Sequence, residues 1–109
     1  MSQIPKIGDE QFDQEVLASD RLVVLDFGAT WCGPCKKLHP IMEELSVELG
    51  STVKVLYIDV GESPKIAQAN AVISVPQVLF FKDGKLVDRI VGLVPKAKLK
   101  EKIEAHSKG

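Results

Sequence analysis

The residues of this chain best suited to chemistry are two cysteines set two residues apart, in Trp31-Cys32-Gly33-Pro34-Cys35. Such a pair can close a small disulfide ring, supply half of a metal site, or pack as two inert thiols. Position narrows the choice. Cys32 follows an apolar run and opens a helical pattern, where free backbone N–H groups and the helix dipole favour an anion. A thiolate is the nucleophilic form, and this location lowers its pKa below the free value of about 8.5. Cys35 lies one turn further in, within reach of a mixed disulfide on Cys32. Thiol–disulfide exchange needs this pair, an exposed attacker and a sheltered resolver.

The metal reading has less behind it. Structural zinc usually takes four Cys or His ligands, and the chain offers only Cys32, Cys35, His39 and the distant His106. No metal is expected. Asp26 carries a separate argument. A carboxylate inside the apolar run Leu22–Phe27 is desolvated, which raises its pKa. A group poised that way can accept or donate the proton of Cys35; the plainer alternative is a buried Asp satisfied by backbone donors.

The elements that must hold these groups alternate along the chain. After a short start around Ile4–Ile7, Phe12, Val16 and Leu17 recur at helical spacing, with Asp9 as the cap. Leu22–Phe27 is apolar on both faces, as suits a central strand. A helix follows from about Pro34 to Leu49, with Leu38, Ile41, Met42, Leu45 and Leu49 on one face and Pro40 placed to kink it. Val53–Asp59 is a second buried strand. Ser63-Pro64 caps and opens a short helix to about Asn70. Gln77–Lys82 and Lys85–Val91 form a hairpin across Asp83-Gly84, and Pro95 opens a final amphipathic helix. The order β-α-β-α-β-α-β-β-α predicts an α/β domain, with the first three strands parallel and the hairpin antiparallel. Helices on both faces make a three-layer sandwich.

Length and composition agree with one domain over 1–109. The 109 residues are 45% hydrophobic and 27% charged, which excludes disorder as the resting state. Fourteen Lys and Arg against 15 Asp and Glu leave a net charge of −1, so bulk electrostatics draw in neither nucleic acid nor anionic lipid. The Lys-rich segment from Lys96 reads as the solvated side of the last helix. No run approaches the roughly 20 apolar residues of a membrane span. The start lacks a secretory signal core, although a removed one would leave no trace. Cytoplasm is the expected location, and there a lone pair of cysteines is not a structural staple.

Trp31-Cys32-Gly33-Pro34-Cys35-Lys36 after an Asp-Phe strand resembles the thioredoxin family, over nearly the whole chain. Asp26, Pro40, Val75-Pro76, the Phe81-Lys82-Asp83-Gly84 turn, Gly92 and the closing helix complete the likeness. The resemblance implies a thioredoxin fold, a central mixed sheet of about five strands flanked by four helices. It implies a protein-disulfide reductase in which the Cys32 thiolate attacks a client disulfide and Cys35 resolves the mixed disulfide. Asp26 then exchanges the Cys35 proton, and Gly33 and Pro34 tune the pair towards reduction. No cofactor is bound, electrons coming from NADPH through a flavin-containing thioredoxin reductase. Pro76 is the cis-proline of the family, turning Val75 towards Cys32. Trp31, Gly33, Val60, Val75, Pro76 and Gly92 form an apolar client-binding patch. The partners are that reductase and disulfide-bearing client proteins, and a monomer is expected.

Departures from the family pattern bear on potential and client range. Most thioredoxins carry Trp where this chain has Gly28 and Thr where it has Gln77, and Ser74 replaces a common Gly. Val55 stands where many have a Lys near the buried Asp. His39, one turn after Cys35, is then expected near Cys35 and Asp26, partly replacing that cation; the alternative is a helix-flank histidine facing solvent. Two other functions stay open: a thiol oxidant or isomerase of an oxidising compartment, and a noncatalytic binding module on the same fold.

Overall fold

A computed structural model describes residues 4–107. Four strands form one open mixed sheet: β1 (Leu22–Gly28), β2 (Val53–Asp59), β3 (Gln77–Lys82) and β4 (Lys85–Val91). Their order is β2-β1-β3-β4, with β1 parallel to β2 and antiparallel to β3, and β3 antiparallel to β4. Three α-helices cover it: α1 (Gly33–Leu49), α2 (Pro64–Ala69) and α3 (Lys96–Ser107).

Central β1 is buried along its whole length because both of its faces are covered. Leu22 and Val24 join Val78, Phe80, Leu38, Met42, Leu45, Leu99 and Ile103 beneath α1 and α3. Val23, Leu25 and Phe27 face the other way and meet Ile7, Val16, Ile66, Leu79 and Phe81 beneath α2 and the N-terminal turns. Each such side chain, fully withdrawn from water, contributes about 1.5–3 kcal/mol. The three-layer arrangement follows from those two cores.

The strand and helix numbers differ from expectation. Ile4–Ile7 makes only an isolated parallel bridge, Lys6 to Tyr57, so among the described residues the sheet has four strands and not five. Pro5 has no N–H to give, and the pairing is limited to the Pro5 carbonyl and the Ile7 N–H against Tyr57. The first helical pattern is not an α-helix but a 3-10 turn at Asp9–Gln11 followed by a π-type turn at Asp13–Leu17. Val16 still reaches the core, and Phe12 still meets Phe81 edge-on.

Asp9 does cap a helix, but not its own. Its carboxylate accepts the Ile66 N–H at 2.8 Å and the Lys65 N–H at 3.4 Å, at the start of α2. Ser63 holds the N-cap position there without a side-chain bond. Helix α1 runs on through Pro40. Asp83 and Gly84 both have positive φ, 52° and 78°, as the two-residue hairpin turn requires. Three of the lysines of the last helix pair with neighbouring elements: Lys96 with Glu44 and Glu48, Lys100 with Glu48, and Lys102 with Asp88. No helix among the described residues is long and apolar enough to cross a membrane.

Candidate redox site

The last residues of β1 deliver the chain into a turn, and α1 starts inside the Cys32–Cys35 pair. Cys32 is the N-cap, in extended conformation, and its Sγ accepts the Cys35 N–H at 3.2 Å. The sulfur therefore sits where a helix start stabilises negative charge, which is the local reason a thiolate is favoured there. Pro34 occupies the first turn of the helix, where its missing N–H removes nothing. The two cysteines are joined as a disulfide with Cα atoms 5.3 Å apart.

The contrast of an exposed attacker and a sheltered resolver is absent from this oxidised form. Cys32 and Cys35 are 5% and 6% exposed. Both pack with Ala29 against Val60 and Val75. Gly33 and Pro34 stay exposed above it.

Around the disulfide the residues of the expected patch converge. Trp31 is 74% exposed. A cleft of about 200 Å³ runs between Trp31, Val60 and Val72–Val75. The Val75–Pro76 bond is cis, and the Pro76 carbonyl accepts the Gly92 N–H at 2.9 Å. Gly92 has φ of 95°, a conformation that favours glycine.

Asp26 lies deeper on β1, only 1% exposed, and neither carboxylate oxygen has a hydrogen-bond partner among the described residues. Burial pushes its carboxyl up, and His39 opposes that shift. The His39 Nδ1 is 3.8 Å from Asp26 Oδ2, at ion-pair rather than hydrogen-bond distance, and its Nε2 is 3.8 Å from Glu43. Asp26 in turn raises the His39 pKa against the effect of partial burial. Val55 is buried in the core on the α1 side of the sheet and pairs with Val24, whereas Tyr57 is the β2 residue paired with Asp26. His39 is the basic side chain at ion-pair distance from Asp26. His106, the other histidine, pairs with Asp88 at 2.8 Å and is not part of this cluster.

Tyr57 is a residue that sequence reasoning missed. Its ring stands edge-on to His39 at 5.5 Å. A Cβ added at Gly28 would lie 3.1 Å from Tyr57 Cε1 and 3.3 Å from Cys35 Cβ. The aromatic ring on β2 thus takes up room beside Gly28. Burial, with the charges of Asp59, Asp26 and Glu62, pushes its hydroxyl up to about 12. Tyr57, His39, Pro40, Lys36, Cys35, Thr30 and Ala29 line an open pocket of about 350 Å³.

The thioredoxin family model matches residues 3–105. A thioredoxin of Staphylococcus saprophyticus is 44% identical over 103 residues, covering 94% of this chain and 97% of that protein. Thioredoxin 1 of Nostoc sp. is 39% identical over 106 residues, covering 97% and 99%.

The chain belongs to the thioredoxin family.

Thioredoxin M-type of the pea chloroplast is also 39% identical over 106 residues, which are 97% of this chain but 62% of the pea protein. Membership and the bonded pair together make Cys32–Cys35 the redox-active disulfide, and the chemistry is thiol–disulfide exchange.

Proposed function

We propose that this chain is a cytoplasmic protein-disulfide reductase, a single thioredoxin domain reduced by a flavin-containing thioredoxin reductase with electrons from NADPH. The observation that carries the reading is the Cys32 sulfur at the N-cap of α1, bonded to Cys35 one turn on. In the dithiol form the Cys32 thiolate attacks one sulfur of a client disulfide, and the other leaves as a client thiolate. Cys35 then gives its proton to Asp26 and attacks Cys32 Sγ. The second client sulfur leaves, and the Cys32–Cys35 disulfide remains. Two electrons have passed to the client, and the reductase returns them. Trp31, Val60, Val75, Pro76 and Gly92 receive the client chain, while Gly33 and Pro34 leave the sulfur approachable.

His39 is a positioning residue in this cycle, acting on Asp26. Asp26 can take the Cys35 proton only in its carboxylate form. Its burial works against that ionised form, and the neighbouring imidazolium favours it. Lys36 lines the same pocket, and Glu43 and Tyr57 flank His39. Removing His39 leaves Asp26 protonated to higher pH.

Reduction of insulin disulfides, driven by NADPH and a bacterial thioredoxin reductase, tests both statements. Catalytic turnover by the native chain is expected, and its absence contradicts the reductase reading. His39→Ala should move the acid limb of the rate profile to higher pH. Turnover would then be several-fold slower on the acid limb and close to native on the plateau above it. An unmoved profile contradicts the role of His39.

A further inference from the structure

The segment between α2 and β3 carries Val75, which packs against the disulfide, and Ile73, which is 96% exposed. Its ends are tied by backbone bonds: Val72 N–H to Ala67 at one end, and Gly92 N–H to Pro76 at the other. Among the described residues, Ile73–Val75 make no backbone–backbone hydrogen bonds. Side chains hold this stretch instead. Gln77, 3% exposed at the start of β3, donates from Nε2 to the Ser74 carbonyl at 3.0 Å and to Ser74 Oγ at 3.4 Å. Its Oε1 accepts from Arg89 Nη1 at 2.7 Å. Arg89 Nη2 reaches the Asn70 carbonyl at 2.6 Å.

The register explains the meeting. Gln77 pairs with Val91, so Arg89 is its diagonal neighbour on the same face of the hairpin. A guanidinium presents its donors in a fixed plane and can bridge two acceptors that a lysine cannot. A buried amide left without partners loses its hydration with nothing in return, so Gln77 is committed to this arrangement. The chain Asn70–Arg89–Gln77–Ser74 therefore clamps both ends of the segment that presents Val75.

We infer that Arg89 and Gln77 are positioning residues that hold the Ile73–Val75 segment in the conformation that receives an extended client chain. The clamp lowers the ordering cost of client binding, so it acts on affinity for proteins and leaves sulfur chemistry alone. The clamp itself stands on geometry; its consequence for clients rests on the reductase reading.

The test uses Arg89→Met, Arg89→Lys and Gln77→Leu. Amide exchange at Val72 and Gly92, whose N–H groups tie the two ends of the segment, should speed up about tenfold or more, with exchange in β1 unchanged. The KM for insulin should rise about fivefold at a kcat within about twofold of native. The rate with the small disulfide 5,5′-dithiobis(2-nitrobenzoate) should stay native. Arg89→Lys keeps the charge and should still show the loss, which separates the bridge from charge alone. Unchanged exchange at these amides overturns the clamp, and an unchanged KM for insulin overturns its effect on clients. If the native chain fails to reduce insulin, the reductase reading fails, and the exchange data still judge the clamp.

Discussion

Serine at position 35 should stop turnover while leaving the first attack intact. Cys35 is buried against Ala29, Val60 and Val75, and serine fits the same space, so the site keeps its shape. The nucleophile at Cys32 retains its N-cap position and the Cys35→Ser N–H that faces it. A client disulfide is then opened by Cys32, but no thiol follows to displace the client. Steady-state insulin reduction should fall by at least about a thousandfold, to what excess external thiol can release. One client should remain covalently attached per protein chain, visible on nonreducing electrophoresis and released by dithiothreitol. Turnover close to native in this variant would mean that Cys35 is not the resolver.

The second large effect is expected at Gly28. Installing the bulky Trp common in the family, Gly28→Trp, should destabilise the protein by roughly 3 kcal/mol, the upper part of the range for overpacking a closed site. Even a Cβ there comes within 3.1 Å of Tyr57 and 3.3 Å of Cys35. The indole competes with the Tyr57 ring for the same space. Removing that ring in Gly28→Trp/Tyr57→Ala should restore about half of the loss, a coupling within the range for residues in contact. Urea unfolding of the oxidised single and double variants measures both numbers. A neutral single variant would show that Tyr57 does not occupy the site of the missing ring.

These two variants also mark how far the sequence could be read. Cys32, Cys35 and Asp26 were legible because their signals are local: a pair at fixed spacing, and a carboxylate inside an apolar run. The four sheet strands and α1 were legible for the same reason, since apolar periodicity and the Asp83-Gly84 turn are written in consecutive residues. What escaped depends on contacts across the fold. Asp9 looked like the cap of the segment it begins, yet its carboxylate serves α2, more than fifty residues away. Tyr57 looked like one more strand residue, because nothing local says that Gly28 on the neighbouring strand leaves room for its ring. Gln77 and Ser74 stood out as departures from the family, but their bond to each other and to Arg89 emerges only once β3 and β4 are in register. Helical spacing sets His39 one turn after Cys35, but its distance from Asp26 is decided by how α1 packs on β1. The fifth strand failed because the apolar positions of Ile4 and Ile7 resemble a strand while Pro5 limits the ladder.

The central claim is that Cys32 and Cys35 form a reversible two-electron couple poised to reduce. Trp31 is the only tryptophan and adjoins Cys32, so its fluorescence reports this site alone. Its titration against defined thiol–disulfide buffers is the most direct test. A single reversible two-electron transition is expected at roughly −270 mV, the potential characteristic of thioredoxins. A midpoint near −180 mV or above would contradict it, because a couple at roughly that potential oxidises or isomerises client disulfides.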